Sequence, residues 1–266
     1  MTATPSFLYG TAWKEERTAG LVEMAIRTGF RAIDTANQRK HYCEAAVGQG
    51  IAAAGVARAE LFLQTKFTYQ RGQDHRLPYD PKAPLAEQVR QSMASSLQHL
   101  ETEWVDSYIL HGPSSGAGWR EDDQEVWRAM LREQEAGRAR ALGVSNVTLP
   151  QLEQMSRCGP LPAFVQNRCL ARFGWDREVR EFCQERKIVY QGFWLLTGNA
   201  DMLQTPAVVS IAAVHKITRS QALFAFARAI GILPLTGTSN AEHMQEDLAS
   251  LAIELSPDDL SRMLKK

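Results

Sequence analysis

Residues 29–50 read GFRAIDTANQRKHYCEAAVGQG, and the character of the chain changes midway through this stretch. RAIDTA, at 31–36, is a short strand-like run, whereas residues 42–54 carry the spacing of an amphipathic helix. A single carboxylate, Asp34, stands where the strand gives way to a polar loop. A strand that hands over to a helix is half of a βαβ unit, so the question is whether the unit repeats.

It does. Strand-like runs occur at 7–12 (FLYGTA), 61–66 (LFLQTK), 105–111 (VDSYILH), 141–146 (ALGVSN), 163–167 (AFVQN), 188–193 (IVYQGF) and 232–236 (ILPLT), making eight with 31–36. Helical stretches fall between them, at 18–28, 42–54, 84–100, 123–136, 149–157, 176–186 and 220–230. Such alternation implies parallel strands joined by right-handed crossovers, and eight repeats predict an α/β fold of the closed (β/α)8 TIM-barrel type. An open doubly wound sheet is the alternative. No GxGxxG follows the first strand, where such a sheet would carry its pyrophosphate turn.

Composition agrees with one domain over residues 1–266, since 266 residues at 44% hydrophobic and 23% charged suit a single α/β barrel. Thirty basic and thirty acidic residues cancel, so no global field would draw the chain to nucleic acid or to an anionic membrane, and a small-molecule partner is expected. MTATPSFLYG lacks a signal-peptide pattern and no apolar run is long enough to span a bilayer, which gives the expectation of a cytoplasmic protein. Cys43, Cys158, Cys169 and Cys183 show no CxxC spacing, so neither a disulfide framework nor a zinc site is expected.

A barrel builds its active site where strands end at the C-terminal face. Those ends carry Asp34, Lys66, His111, Ser145 with Asn146, Gln166 with Asn167, and Thr236 with Thr238. Each residue alone is an ordinary handover to a loop; the convergence of the set is what points to a site. A buried lysine needs a carboxylate, so Lys66 should pair with Asp34. The charged lysine would then lower the phenol pKa of a nearby tyrosine, Tyr42, from its usual ~10. Tyr42 could protonate a carbonyl oxygen while His111 orients it, which suits carbonyl reduction by hydride transfer. Ser145, Asn146 and Gln166 offer a hydroxyl and amides of the kind that hold a nicotinamide carboxamide.

GTAW at 10–13, GFRAIDTA at 29–36, LFLQTK, VDSYILHGP, GVSN and VQN occur in one order along nearly the whole chain, and in this the sequence resembles the aldo-keto reductase family. The resemblance implies an NAD(P)-dependent (β/α)8 barrel with a catalytic tetrad at Asp34, Tyr42, Lys66 and His111. It also implies carboxamide contacts from Ser145, Asn146 and Gln166, and an aromatic platform for the nicotinamide from Phe193 or Trp194, with the count from residue 188 favouring Phe193. Thr11, Ala12, Leu196, Thr236, Gly237, Thr238, Ser239, His243, Glu246 and Asp247 complete the implied cofactor site, the last two at the adenine. Trp13 and Trp119, in the insert GPSSGAGWREDD at 112–123, are left to shape the substrate pocket with Tyr42 and His111.

Three departures from the family pattern matter. The tyrosine comes late after the aspartate, and anchoring on Glu44 puts His41 rather than Tyr42 on its position, so His41 is the rival proton donor. The lysine and arginine that commonly hold a ribose 2′-phosphate are missing from ILPLTGTSNAEHMQEDL, leaving hydroxyls and amides of Thr238, Ser239 and Asn240 to cup a phosphate at a helix N-terminus. NADP(H) is preferred and NAD(H) stays open. The N-terminal hairpin plug and the long C-terminal tail of many members are also expected to be lacking. Two rival functions are an NADP(H)-binding regulatory barrel with little turnover, and a metal-dependent hydrolase using His41, Cys43 and His75, whose spacing matches no site type.

Overall fold

The structure, a computed structural model, describes residues 4–265. Eight parallel strands close into a barrel in sequence order, β1 to β8, with β1 paired to β8. They are β1 Leu8–Gly10, β2 Ala32–Asp34, β3 Phe62–Phe67, β4 Val105–Leu110, β5 Ala139–Ser145, β6 Phe164–Arg168, β7 Val189–Phe193 and β8 Leu233–Thr236. The helices are α1 Thr18–Thr28, α2 Glu44–Ala54, α3 Leu85–His99, α4 Glu121–Glu135, α5 Leu149–Cys158, α6 Arg177–Glu185, α7 Pro206–His215, α8 Arg219–Ala229, α9 Ala241–Ala249 and α10 Pro257–Leu264. Seven connections each return the chain to the same edge, so all eight strand C-termini share one face.

Side chains alternate along a strand, so each inward row climbs the barrel two residues at a time. The lowest inward layer is apolar: Leu8, Ala32, Phe62, Ile109, Phe164 and Leu233 form one buried cluster, with Phe62 and Phe164 meeting edge to face at 5.6 Å. Two residues further along, the same rows deliver Asp34, Gln64, Gln166 and Gln191, all buried. Another step gives Lys66, Arg168 and Phe193 at the mouth. An apolar floor beneath a polar layer is thus written into the period of two.

Helix α2 shows how close packing fixes a loop. Its run EAAVGQG spends two glycines inside a helix, where each costs about 1 kcal/mol against alanine. A side chain at Gly48 would strike the backbone of His99, and one at Gly50 the carbonyl of Ala19. The missing side chains let α2 lie directly on the end of α3 and on α1. Glu44, its first residue, is buried and accepts hydrogen bonds from Thr65 Oγ1 and from Ser96 Oγ at 3.0 Å.

The ten α-helices among the described residues include three that alternation alone does not reveal. α7 begins at Thr205, whose hydroxyl caps Val208 N, with Pro206 in the first turn. Asn240 caps α9 and Ser256 caps α10. The expectation about a missing N-terminal plug rests partly on residues 1–3, outside the described residues; among those described, no strand precedes β1. Among them too, no helix is long and apolar enough to cross a membrane.

Candidate active site

A cleft of about 700 Å³ opens at the strand C-termini, within the range of small-ligand pockets. Its floor is an ion pair. Lys66 Nζ, 1% exposed, donates to both oxygens of Asp34 at 2.7 Å and to Thr35 O at 2.8 Å. These bonds use all three ammonium protons. Burial lowers the pKa of Lys66 and the Asp34 charge opposes that fall. Asp34 Oδ1 also accepts from Gln64 Nε2 at 2.6 Å and Gln166 Nε2 at 3.0 Å.

The loop 35–43 returns Tyr42 over this pair. Tyr42 N donates to Gln38 O at 3.0 Å, Gln38 Nε2 to Gly72 O at 2.7 Å, and Gln73 Nε2 to Asn37 O at 2.7 Å. So tethered, the Tyr42 ring lies with Lys66 Nζ 5.4 Å from its centroid and the His111 ring 6.0 Å away. His41 turns the other way and stacks on Trp13 at 3.6 Å between centroids. With its protons spent on Asp34 and Thr35, Lys66 meets the ring face, and the phenol of Tyr42 is pushed up by burial and by the Asp34 charge rather than lowered. Tyr42 is therefore a neutral hydroxyl. His111 is neutral as well: burial, then the charges of Lys66 and His41, hold its pKa down to about 3.

The amides beside this group are pre-oriented. Gln166 Nε2 spends its protons on Asp34 Oδ1 and Gln191 Oε1, 3.0 Å each, leaving Oε1 to accept. Asn146 Nδ2 donates to His111 O at 2.8 Å and to Ser145 Oγ at 3.1 Å, leaving its own Oδ1. Ser145 Oγ, as acceptor in that bond, keeps its proton to give. Two acceptors and one hydroxyl donor around one point are the complement of a primary carboxamide. Phe193, next in the inward row after Gln191, and Trp194 supply ring faces beside them. Trp13, Asn146 and Trp194 all adopt left-handed backbone, with φ of 61°, 53° and 63°, each just beyond a strand end. Strain of this kind gathers at functional sites.

Of the cofactor and substrate residues expected from sequence, Ala12, Trp13, Leu196, Thr236, Gly237, Thr238, His243, Glu246 and Asp247 line the cleft with those above. Three do not. Thr11 is fully buried and donates to Asp34 O at 3.0 Å, Ser239 lies off the lining, and Trp119 is 6% exposed and packs edge to face on Trp127 at 6.4 Å. Trp119 anchors its loop because its own N–H meets Gln154 and its ring reaches α4. The phosphate cup at α9 is also partly filled by the chain itself: Asn240 Oδ1 takes the N–H groups of Glu242 and His243, and Asn240 N donates to Thr238 Oγ1.

Two cations at the cleft escape a sequence reading. Lys14, from the β1–α1 loop, donates to Gly237 O beside β8. Arg168, at the tip of β6, lies 4.1 Å from the Trp194 ring and 5.8 Å from that of Phe193. Its place in the inward row of Phe164 and Gln166 is the signal that could have found it.

A barrel with this mouth defines a class of enzyme scaffold, and sequence comparison specifies it: residues 6–266 match the aldo/keto reductase family, and the chain belongs to that family. It is 29% identical over 260 residues to the methylglyoxal reductase DkgB of Escherichia coli O157:H7, covering 97% of this chain and 91% of that protein. An aldo/keto reductase from Brucella melitensis superposes with a TM-score of 0.85 at 26% identity, covering 98% and 94% of the two chains. A Bombyx mori aldo-keto reductase solved in complex with NADP shares the fold at 22% identity and a TM-score of 0.81, covering 98% and 88%.

Proposed function

We propose that the protein reduces the carbonyl of a small aldehyde or ketone to an alcohol with NADP(H), with Tyr42 as proton donor. The observation that carries this reading is the carboxamide complement of Ser145, Asn146 and Gln166 set beside the Asp34, Lys66, Tyr42 and His111 group. The residues present fit a nicotinamide dinucleotide: amides and hydroxyl for its carboxamide, Phe193 for its ring, and Lys14 and Arg168 as the positive groups facing its phosphates. When bound, the nicotinamide supplies a hydride to the carbonyl carbon.

The protein's own residues manage the oxygen. His111 points an N–H at it, and Tyr42 delivers the proton as negative charge builds. A phenol of raised pKa suits this task, because it stays protonated at rest and a developing alkoxide is a stronger base than phenolate. Lys66 contributes fixed positive charge below the ring, and Asp34 holds Lys66 in place. The buried apolar layer beneath this group keeps water out of the barrel interior. The family relative named methylglyoxal reductase makes a small ketoaldehyde the natural first substrate to try.

Because Trp13 and Trp194 line the cleft, cofactor binding should quench tryptophan emission. Titration with NADPH, then addition of methylglyoxal while NADPH consumption is followed, tests the proposal. Saturable quenching and turnover are expected; quenching without turnover on a broad carbonyl panel would indicate a sensing barrel instead, and no quenching by NADPH or NADH would remove both readings.

A further inference from the structure

Beside the reacting group lies a polar contact that none of the steps above uses. Thr68, the residue after β3, places Oγ1 2.7 Å from His111 Nδ1. The backbone arranges the meeting: His111 N donates to Phe67 O at 2.9 Å, extending the β3–β4 pairing one step past the strands, so the side chains of Thr68 and His111 emerge side by side. Thr68 is buried and held on two sides. Tyr79 Oη donates to its carbonyl at 2.8 Å, and its methyl rests over Gly72, where an added side chain would collide with it.

A contact between a hydroxyl and an imidazole nitrogen holds one proton, from one side or the other. If His111 Nδ1 supplied it, the Thr68 proton would need another acceptor, and among the described residues Thr68 Oγ1 has no hydrogen-bond partner besides His111. A buried hydroxyl proton without an acceptor is costly. If Thr68 donates, both groups are satisfied, and the single proton of a neutral imidazole must sit on Nε2. His111 lines the cleft, and Nε2 is the ring nitrogen left to face it. The other tautomer would turn a lone pair toward the carbonyl oxygen and repel it.

We propose that Thr68 is a positioning residue that donates to His111 Nδ1, fixes the Nε2–H tautomer and aims that N–H at the substrate oxygen. This rests on the proposed carbonyl reduction for its consequence in catalysis, but the tautomer itself is a property of the free protein. The neutral state of His111, with its pKa held to about 3, keeps the arrangement intact at the pH of a cell. Threonine suits the place better than serine, because the methyl against Gly72 selects the rotamer that turns Oγ1 to the ring.

Long-range proton–nitrogen NMR correlations of the His111 side chain in the purified protein read the tautomer without any substrate. The expected result is a protonated Nε2 and a hydrogen-bonded, unprotonated Nδ1. In Thr68→Val the hydrogen-bond signature at Nδ1 should disappear, with kcat/KM falling about tenfold, the weight of one hydrogen bond, while NADPH affinity holds. Thr68→Ser should restore the Nδ1 signature and most of the rate. A protonated Nδ1 in the parent protein would overturn the inference outright, whether or not the protein turns over carbonyls. An unchanged Nδ1 signal in a folded Thr68→Val variant would overturn it too.

Discussion

Asp247 shows what a single side chain carries when burial and function compete. It closes the β8 side of the cleft, is 2% exposed, and its Oδ2 is buried without a partner among the described residues. Burial is the main cause that raises its pKa to about 6. A folded-state value above the unfolded value of ~3.9 means the unfolded chain loses its proton first, so this carboxyl subtracts stability as pH rises from about 4 to 6 and subtracts it fully above. Asp247→Asn should therefore raise the melting temperature at pH 8 and leave it near the parent value at pH 4. An equal gain at both pH values would mean that charge is not the cause. Family resemblance points to Asp247 as an adenine contact, and the residue does line the cleft, but burial of one oxygen depends on packing that no motif encodes. The same limit applies to Trp119, read as a pocket residue until its contact with Trp127 is known, and to Thr68, whose neighbour in space lies 43 residues away.

At the level of elements, α2 decides where the loop bearing His41 and Tyr42 ends. Its glycines are legible as letters but not as reasons, since a sequence shows poor helix formers and only the packing shows what they admit. Gly48→Ala should destabilise the fold by about 1–3 kcal/mol through overpacking against the end of α3. Gly20, exposed in α1 with nothing near its missing side chain, provides the contrast. Gly20→Ala should stabilise by about 0.5–1 kcal/mol through helix propensity. Urea denaturation of the two variants checks both signs: a loss in Gly20→Ala would contradict the open surroundings of Gly20, and no loss in Gly48→Ala would contradict the close packing of α2 on α3. The strands are more legible than the helices: all eight lie within a residue or two of the positions their short β-rich runs indicate, and Asp34, Ser145, Arg168 and Thr236 mark the ends of four of them. α7, α9 and α10 are marked by caps at Thr205, Asn240 and Ser256 rather than by strand–helix alternation.

For the whole molecule, eight repeats of strand and helix were enough to specify the barrel, and the polar strand ends were enough to specify which face carries the site. What the linear order left open was whether the late tyrosine folds back to Lys66 or leaves the position to His41. The structure puts the Tyr42 ring within about 6 Å of both Lys66 Nζ and the His111 ring, and the His41 ring on Trp13. Proton delivery by Tyr42 is tested by comparing NADPH binding and carbonyl turnover in the parent, Tyr42→Phe and His41→Phe. General acid catalysis contributes about 10²–10⁴-fold, so Tyr42→Phe should lose at least a hundredfold in kcat with cofactor affinity unchanged, while His41→Phe keeps turnover within a few fold. A Tyr42→Phe enzyme as fast as the parent, or a His41→Phe enzyme without activity, would mean that Tyr42 is not the proton donor.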